Sequence, residues 1–431
     1  MSTTAITEGL PPAQTQPAEA ADFQLPQQLL EAIAEAAVDR ELHRRLPYEQ
    51  VAWLDEARFG ALRVPQSHGG PGASIEQLIG QVIRLAEADS NIAHLYRGHF
   101  GFVESLRFKP AEQARHWYAE VLAGRTVGNA STEKGGNALG TLNTLLTPQR
   151  DGSWSLTGEK FYSTGTIFSD YTRVSAAIAG REGRQFAVVP IDAEGVTVHD
   201  DWDGFGQKLT GTGTTEFHQV QVPQIAVLDR TPGSHEAVHE AAFFQLYLLA
   251  VQVGIARAAV RDAAATLATR TRTFNTSASG AAFKQDPLIQ QVVGQMSSKT
   301  FVAEAAVTEA ARIHDRALQD GLDAGTGDPS FTAAPPESIC DSEIAVEKAQ
   351  ITVPGLVLEV TAELFQTVGA SATARTKALD RHWRNAQTIA THNPIVFRAR
   401  AIGDHTINGT LPEGLNAIGD ATSTAPGRST L

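Results

Sequence analysis

One cysteine, Cys340, stands in 431 residues. A lone thiol closes no internal disulfide, and no thiolate metal cluster can be assembled from this chain alone, so a reducing, cytoplasmic setting is expected. Cationic side chains are also scarce: 35 Lys and Arg face 48 Asp and Glu, for a formal net charge of -13. That charge repels phosphate backbones and anionic headgroups, which argues against nucleic acid and membrane surfaces as partners. The opening stretch MSTTAITEGLPPAQTQPAEAADFQLPQQ lacks the basic start and apolar core of a signal peptide. No apolar run approaches the roughly 20 residues of a membrane span. No constellation of His, Asp and Glu suggests a metal.

What is present is a large apolar fraction, 42%, in a chain longer than one core usually needs, so two or three cooperating domains are expected. Residues 1–22 are rich in Pro, Ala, Thr and Gln and read as a disordered tail. Over 23–125 the apolar spacing is helical, as in LPQQLLEAIAEAA and SIEQLIGQVIRLAEA, and predicts an N-terminal helical domain. Over 126–232 short alternating runs such as SWSLTGEKFYST and RQFAVVPI, separated by turn residues, predict a small antiparallel sheet or barrel. Over 233–410 the helical period returns in four segments, near 235–271, 285–320, 340–368 and 394–408, the pattern of a four-helix bundle. A polar connection at 321–338 interrupts it, Pro354 should kink the third helix or delay its start, and 411–431 form a C-terminal tail.

Two motifs lie about thirty residues apart in the central domain. Ala130, Ser131, Thr132 and Glu133 precede Gly135, Gly136 and Asn137, and Gly158-Glu159-Lys160-Phe161-Tyr162-Ser163-Thr164-Gly165 follows. In this domain order they resemble the two flavin-contacting motifs of the acyl-CoA dehydrogenase superfamily, and the resemblance covers about 25–410. It implies that Ser131 and Thr132 touch the flavin and that Ser163 faces its N5 edge; Phe161 and Trp202 are candidate aromatic walls, with core packing the plainer role for each.

Acyl-CoA dehydrogenases need a carboxylate base to remove a substrate proton. Setting Arg384-Asn385-Ala386 on the family's R-D-A places His392-Asn393-Pro394 on the loop that carries the base, so Asn393 stands where Glu should, and an amide has no useful basicity. The alternative base position, ten residues before Gly254, reads Phe244. The family's glycine-rich turn for the adenine half of FAD reads Gln366-Thr367-Val368-Gly369-Ala370-Ser371-Ala372, where added Cβ atoms crowd the backbone approach. FMN is therefore favoured over FAD, with Gly369 and Ala370 beside it, Arg272 as partner for its phosphate and Arg270 as a substitute.

These departures resemble one branch, the two-component flavin monooxygenases with an acyl-CoA dehydrogenase fold, nearest to the dibenzothiophene monooxygenases. The likeness implies reduced FMN delivered by a separate NAD(P)H:flavin reductase, reaction with dioxygen to a flavin C4a-hydroperoxide, and oxygen transfer to a small molecule at sulfur, nitrogen or electron-rich carbon. A homotetramer, a dimer of dimers, is implied too. His392 is the first candidate for chemistry, an imidazole tunable around neutral pH. Asn129 can bond a flavin carbonyl or the peroxide, His94 matches a pocket histidine of the branch, and Asn393 and Tyr96 are expected in the substrate pocket. The competing readings are a FAD-dependent acyl-CoA dehydrogenase with an unrecognised base and a non-catalytic scaffold.

Overall fold

The computed structural model describes residues 24–134, 142–181, 183–271, 279–328 and 336–412. Its first part is helical: α1 (Gln27–Glu35), α2 (Ala37–His43), α3 (Tyr48–Glu56), α4 (Ile75–Ala88), α5 (Ser90–Leu95), α6 (Arg97–Ser105) and α7 (Ala111–Leu122). The start of α4 is set by a capping box. The Ser74 hydroxyl accepts from the Gln77 amide at 3.0 Å, and the Gln77 side chain accepts from the Ser74 amide at 2.7 Å. Its apolar stripe, Ile75, Leu78, Ile79, Val82 and Ile83, is buried. Asp89 then caps α5 and holds the buried Arg40 guanidinium at 2.8 Å, fixing the entry of the helix that carries His94.

The middle of the chain holds β1 (Val127–Ala130), β2 (Leu145–Pro148), β3 (Trp154–Lys160), β4 (Tyr171–Ala176), β5 (Gln185–Pro190), β6 (Val196–Val198), β7 (Thr215–Val222) and β8 (Val227–Leu228). The expected small antiparallel sheet or barrel is built as two four-stranded sheets, ordered β1-β4-β5-β8 and β2-β3-β7-β6. One pairing, β1 on β4, is parallel, and it sets Asn129 opposite Arg173. The chain between these strands makes β2 and β3 in the other sheet before returning, the long crossover that a parallel pair requires.

The last part is α8 (His235–Ala268), α9 (Pro287–Asp323), α10 (Ser338–Val368), α11 (Asp380–Ala390) and α12 (Ile395–Asn408). Asp286 caps α9 and Pro287 occupies its first turn, where a missing N–H costs nothing. Pro354 neither delays nor ends α10, which runs through it. The fourth member of the bundle differs from expectation. The polar segment DRHWRNAQTIA forms α11, which buries only His382, Asn385, Ala386 and Ile389, whereas α12 buries no residue. Helix α4 packs on α8 instead, so closely that a Cβ on Gly254 would lie 2.4 Å from the Ala86 Cβ.

Two apolar clusters result, one joining the N-terminal helices to α8, α9 and α10, the other filling the space between the sheets and helices α6 and α7. By length and composition α8 and α10 are apolar enough to cross a membrane. In α8, 83% of the most apolar window is packed inside the protein, as befits a core helix.

Candidate active site

A cavity of ≈ 490 Å³ lies where α5, α6, the β1 end of one sheet, α8 and the loop after α11 meet. Its size suits a small-molecule site. Asn129, Ser131 and Thr132 reach it from the end of β1. Asn129 is held from two sides: its Oδ1 accepts from the Ser131 hydroxyl at 3.1 Å, and α6 passes so close that a Cβ on Gly98 would meet the Asn129 Cβ at 2.7 Å.

Beyond β3 the Phe161 amide donates to the Thr132 carbonyl at 2.7 Å, joining the two motifs. Tyr162 then takes a left-handed conformation, φ 61°. The turn sends Tyr162 and Thr164 to the cavity wall while Ser163, between them, is buried and is not among the lining residues. The Thr164 hydroxyl is tied to that of Thr212 at 2.8 Å, and the Ser163 hydroxyl has no partner. Lys160 braces the turn from behind, donating to Glu133 at 2.7 Å and to Ser175 at 3.1 Å. Burial lowers its pKa to about 8, against the pull of Glu133.

Two histidines line the cavity. His94 is buried, and its Nδ1 meets the Gln207 Oε1 at 3.2 Å, an acceptor, so Nδ1 carries the proton and Nε2 is left as an acceptor. Burial, with repulsion from Arg97, lowers its pKa to about 4. His392 follows α11, and crowding by the surrounding protein, with Arg97 and His94 adding repulsion, lowers its pKa to about 3. Its ring remains exposed to the cavity, so this depression is felt in full only when a ligand expels the water there. In the ligand-filled site both shifts favour the neutral imidazole near pH 7.

Neither base position of a dehydrogenase is filled. Asn393 donates to the Gln245 Oε1 at 2.9 Å, and the Phe244 ring carries the Arg97 guanidinium at 4.5 Å. Among the described lining residues the one carboxylate is Glu240, which is buried and engaged by both Arg173 and Arg230. Burial pushes its pKa up, but the two arginines outweigh that and leave it lowered. A carboxylate so held is a poor base.

Of the residues singled out in the sequence, His94, Asn129, Ser131, Thr132, His392 and Asn393 come together on this cavity, with Trp202 on its wall. Ser163 lies behind the Tyr162 turn, and Thr164 rather than Ser163 lines the cavity. Phe161 lies off the wall, packed on Tyr162 and under the Lys134 ammonium. Tyr96 belongs to the N-terminal core, its hydroxyl donating to Asp55 at 3.1 Å. Gly369 and Ala370 sit past the end of α10, where Arg270 donates to the Val368 carbonyl, and are not among the lining residues. Arg272 lies outside the described residues. The sequence reading missed Arg97, Thr164, Arg173, Gln207 and Gln245. A single arginine in the apolar strand TRVSAA was the available sign for Arg173, since a buried charge demands a partner.

The amide of Asn129 and the hydroxyls of Ser131, Thr132 and Thr164 form a neutral wall of donors and acceptors, with the unpartnered hydroxyl of Ser163 behind it. Such a wall fits the polar edge of a flavin ring. The architecture and the site define a protein of acyl-CoA dehydrogenase fold whose dehydrogenase base is missing. The family model for the acyl-CoA dehydrogenase C-terminal domain matches residues 246–397. Dibenzothiophene monooxygenase of Rhodococcus erythropolis is 29% identical over 82% of this chain and 85% of its own. A probable FMNH2-dependent monooxygenase of Pseudomonas putida is 27% identical over 88% of this chain and 93% of its own. The structure of methanesulfinate monooxygenase from Pseudomonas fluorescens superposes with a TM-score of 0.79 and 26% identity, covering 89% of this chain and 96% of the other. In sequence and in fold the chain is similar to flavin-dependent monooxygenases with the acyl-CoA dehydrogenase fold.

Proposed function

We propose that this protein takes reduced FMN from a separate NAD(P)H:flavin reductase and uses dioxygen to oxygenate a small organosulfur compound, working in the cytoplasm as a homotetramer. The observation that carries the reading is the pairing of a neutral flavin wall with a cavity whose base positions are Asn393 and Phe244. Neither the dehydrogenase nor the scaffold alternative accounts for both. Reduced flavin, when bound, supplies two electrons to dioxygen, so that one oxygen atom passes to the substrate sulfur and the other leaves as water. Asn129, Ser131, Thr132 and Thr164 hold and orient the ring. His392 stands over the reaction space as a neutral imidazole, one nitrogen donating and the other accepting, and His94 offers its Nε2 as a second acceptor. Packing by Phe244, Ile389 and Trp202 keeps bulk water from the reacting atoms. FMN rather than FAD is favoured by Ala370, whose Cβ crowds the turn where an adenine would approach.

The test supplies reduced FMN from an unrelated flavin reductase under ¹⁸O₂ and follows a panel of sulfides, sulfones and sulfinates by mass spectrometry. One ¹⁸O per product molecule is expected. Flavin reoxidation with no labelled product from any compound, together with turnover of acyl-CoA by the FAD-loaded protein, would return the chain to the dehydrogenases.

A further inference from the structure

One end of the cavity is built for a negative charge. Its described charged lining residues are Arg97, Arg173, Arg184, Arg230 and Glu240, four cations against one carboxylate. Arg173 is the centre of this group. Only 2% of it is exposed, its guanidinium lies 3.6 Å over the Phe186 ring, and one terminal nitrogen is bonded to Glu240. Its Nε and its other terminal nitrogen have no partner. Glu240 is shared with Arg230, at 3.2 Å, so its one negative charge is divided between two guanidinium groups. A buried guanidinium with two unused N–H directions is costly to leave so, and it matches the two oxygens of a planar or tetrahedral oxyanion. Register places it in reach of the reaction: Arg173 in β4 is the direct partner of Asn129 in β1, next to the flavin wall.

From this geometry we infer that the substrate carries an oxyanion, a sulfinate, sulfonate or carboxylate, which Arg173 grips while Arg184 and Arg230 supply further positive charge at the same end of the cavity. This rests on the oxygenase reading for the identity of the reacting molecule, but the anion subsite stands on the arginines alone. The same chemistry would suit the phosphate of FMN, so the experiment has an arm for each source.

Binding is measured first on the full-length protein without flavin, by calorimetry, with benzenesulfinate and with methyl phenyl sulfone as its neutral counterpart. The sulfinate is expected to bind roughly ten- to hundredfold more tightly, the range of a charge-assisted hydrogen-bond pair. Raising the salt concentration should narrow the gap. Arg173→Gln should abolish the preference. Arg184→Gln, at a half-buried position that is not in the Glu240 pair, should reduce it even if Arg173→Gln fails to fold. In turnover, Arg173→Gln should raise the KM for the sulfinate by a similar factor with little change in kcat. Equal binding of the two probes by the wild-type protein would overturn the subsite. So would an Arg173→Gln protein that no longer prefers FMN over riboflavin, which would give the arginine to the flavin phosphate. Anion preference with no ¹⁸O transfer to any sulfur compound would leave the subsite standing and remove the oxygenase, so the two failures are distinct.

Discussion

At the scale of single residues the site is governed by burial more than by residue type. His392, an imidazole that its surroundings can tune, has its pKa held down to about 3 by crowding and the nearby Arg97 and His94, and burial with Arg97 lowers that of His94 to about 4. A group with a lowered pKa is protonated only as the pH falls toward that value, so both rings are neutral from about pH 5 upward. The kcat of the oxygenation is accordingly expected to show no histidine titration between pH 6 and 8. A rise in kcat as the pH drops through about 6.5 would mean an imidazolium acid and contradict the assignment. His392→Ala should lower product formation by about 10²-fold while FMN binding stays within a few fold, as measured by fluorescence titration. Thr164 and Ser163 separate in the same assay. Thr164→Val removes a wall hydroxyl and should weaken FMN binding about tenfold, whereas Ser163→Ala removes an unpartnered hydroxyl from behind the wall and should have little effect.

At the scale of elements, the flavin wall is positioned by contacts between α6 and β1 that no local pattern announces. His99 on α6 is the joint. Its Nε2 donates to the Gly60 carbonyl at 2.8 Å, and its Nδ1 accepts from the Val127 amide at 3.2 Å, so the fold requires a neutral ring in one tautomer. Burial lowers its pKa to about 4. The sign follows from linkage: the unfolded chain takes up the proton first, so this stability is fully present above about pH 6.5 and is lost as the pH falls toward about 4. The loss is on the order of 1–3 kcal/mol by pH 4. His99→Gln should flatten the fall in melting temperature between pH 6.5 and 4, even though it lowers the value at pH 7. Helical period and turn chemistry made most helices and strands legible in advance. The exception was α11, because a segment as polar as DRHWRNAQTIA has an apolar face too narrow to stand out from a loop, and its helix is held by packing against α8 and α10.

At the scale of the whole molecule, the domains are tied by charges buried between them. Lys109, between α6 and α7, donates to Glu236 of α8 at 2.5 Å, and Arg173 of the first sheet meets Glu240 one turn further along α8. The cavity lies beside these pairs, so the site depends on all three regions being docked. The outer face of α12 carries Val396, 71% exposed, and Phe397, 67% exposed, an apolar face that suits contact between subunits. For the proposed tetramer, light scattering after gel filtration should give four times the chain mass for the wild-type protein and a smaller species for Phe397→Asp. An unchanged mass in the variant would remove α12 from the contacts that hold the assembly together.

The sequence by itself determined the order of helical, sheet and helical regions, two motifs that resemble flavin-contacting ones and the absence of a carboxylate at Asn393 and Phe244, because these depend on local period and residue identity. Only the tertiary structure decided that Thr164 and not Ser163 lines the cavity, since the left-handed turn at Tyr162 sets which side chains of this segment reach it. It alone decided that Tyr96 belongs to the core, and that Arg97, Arg173 and Gln207 join His94 and His392 around one space. Those groups come from separate helices, a strand and two loops, and their partners and surroundings are set by neighbours that are distant in the chain and adjacent only in the fold.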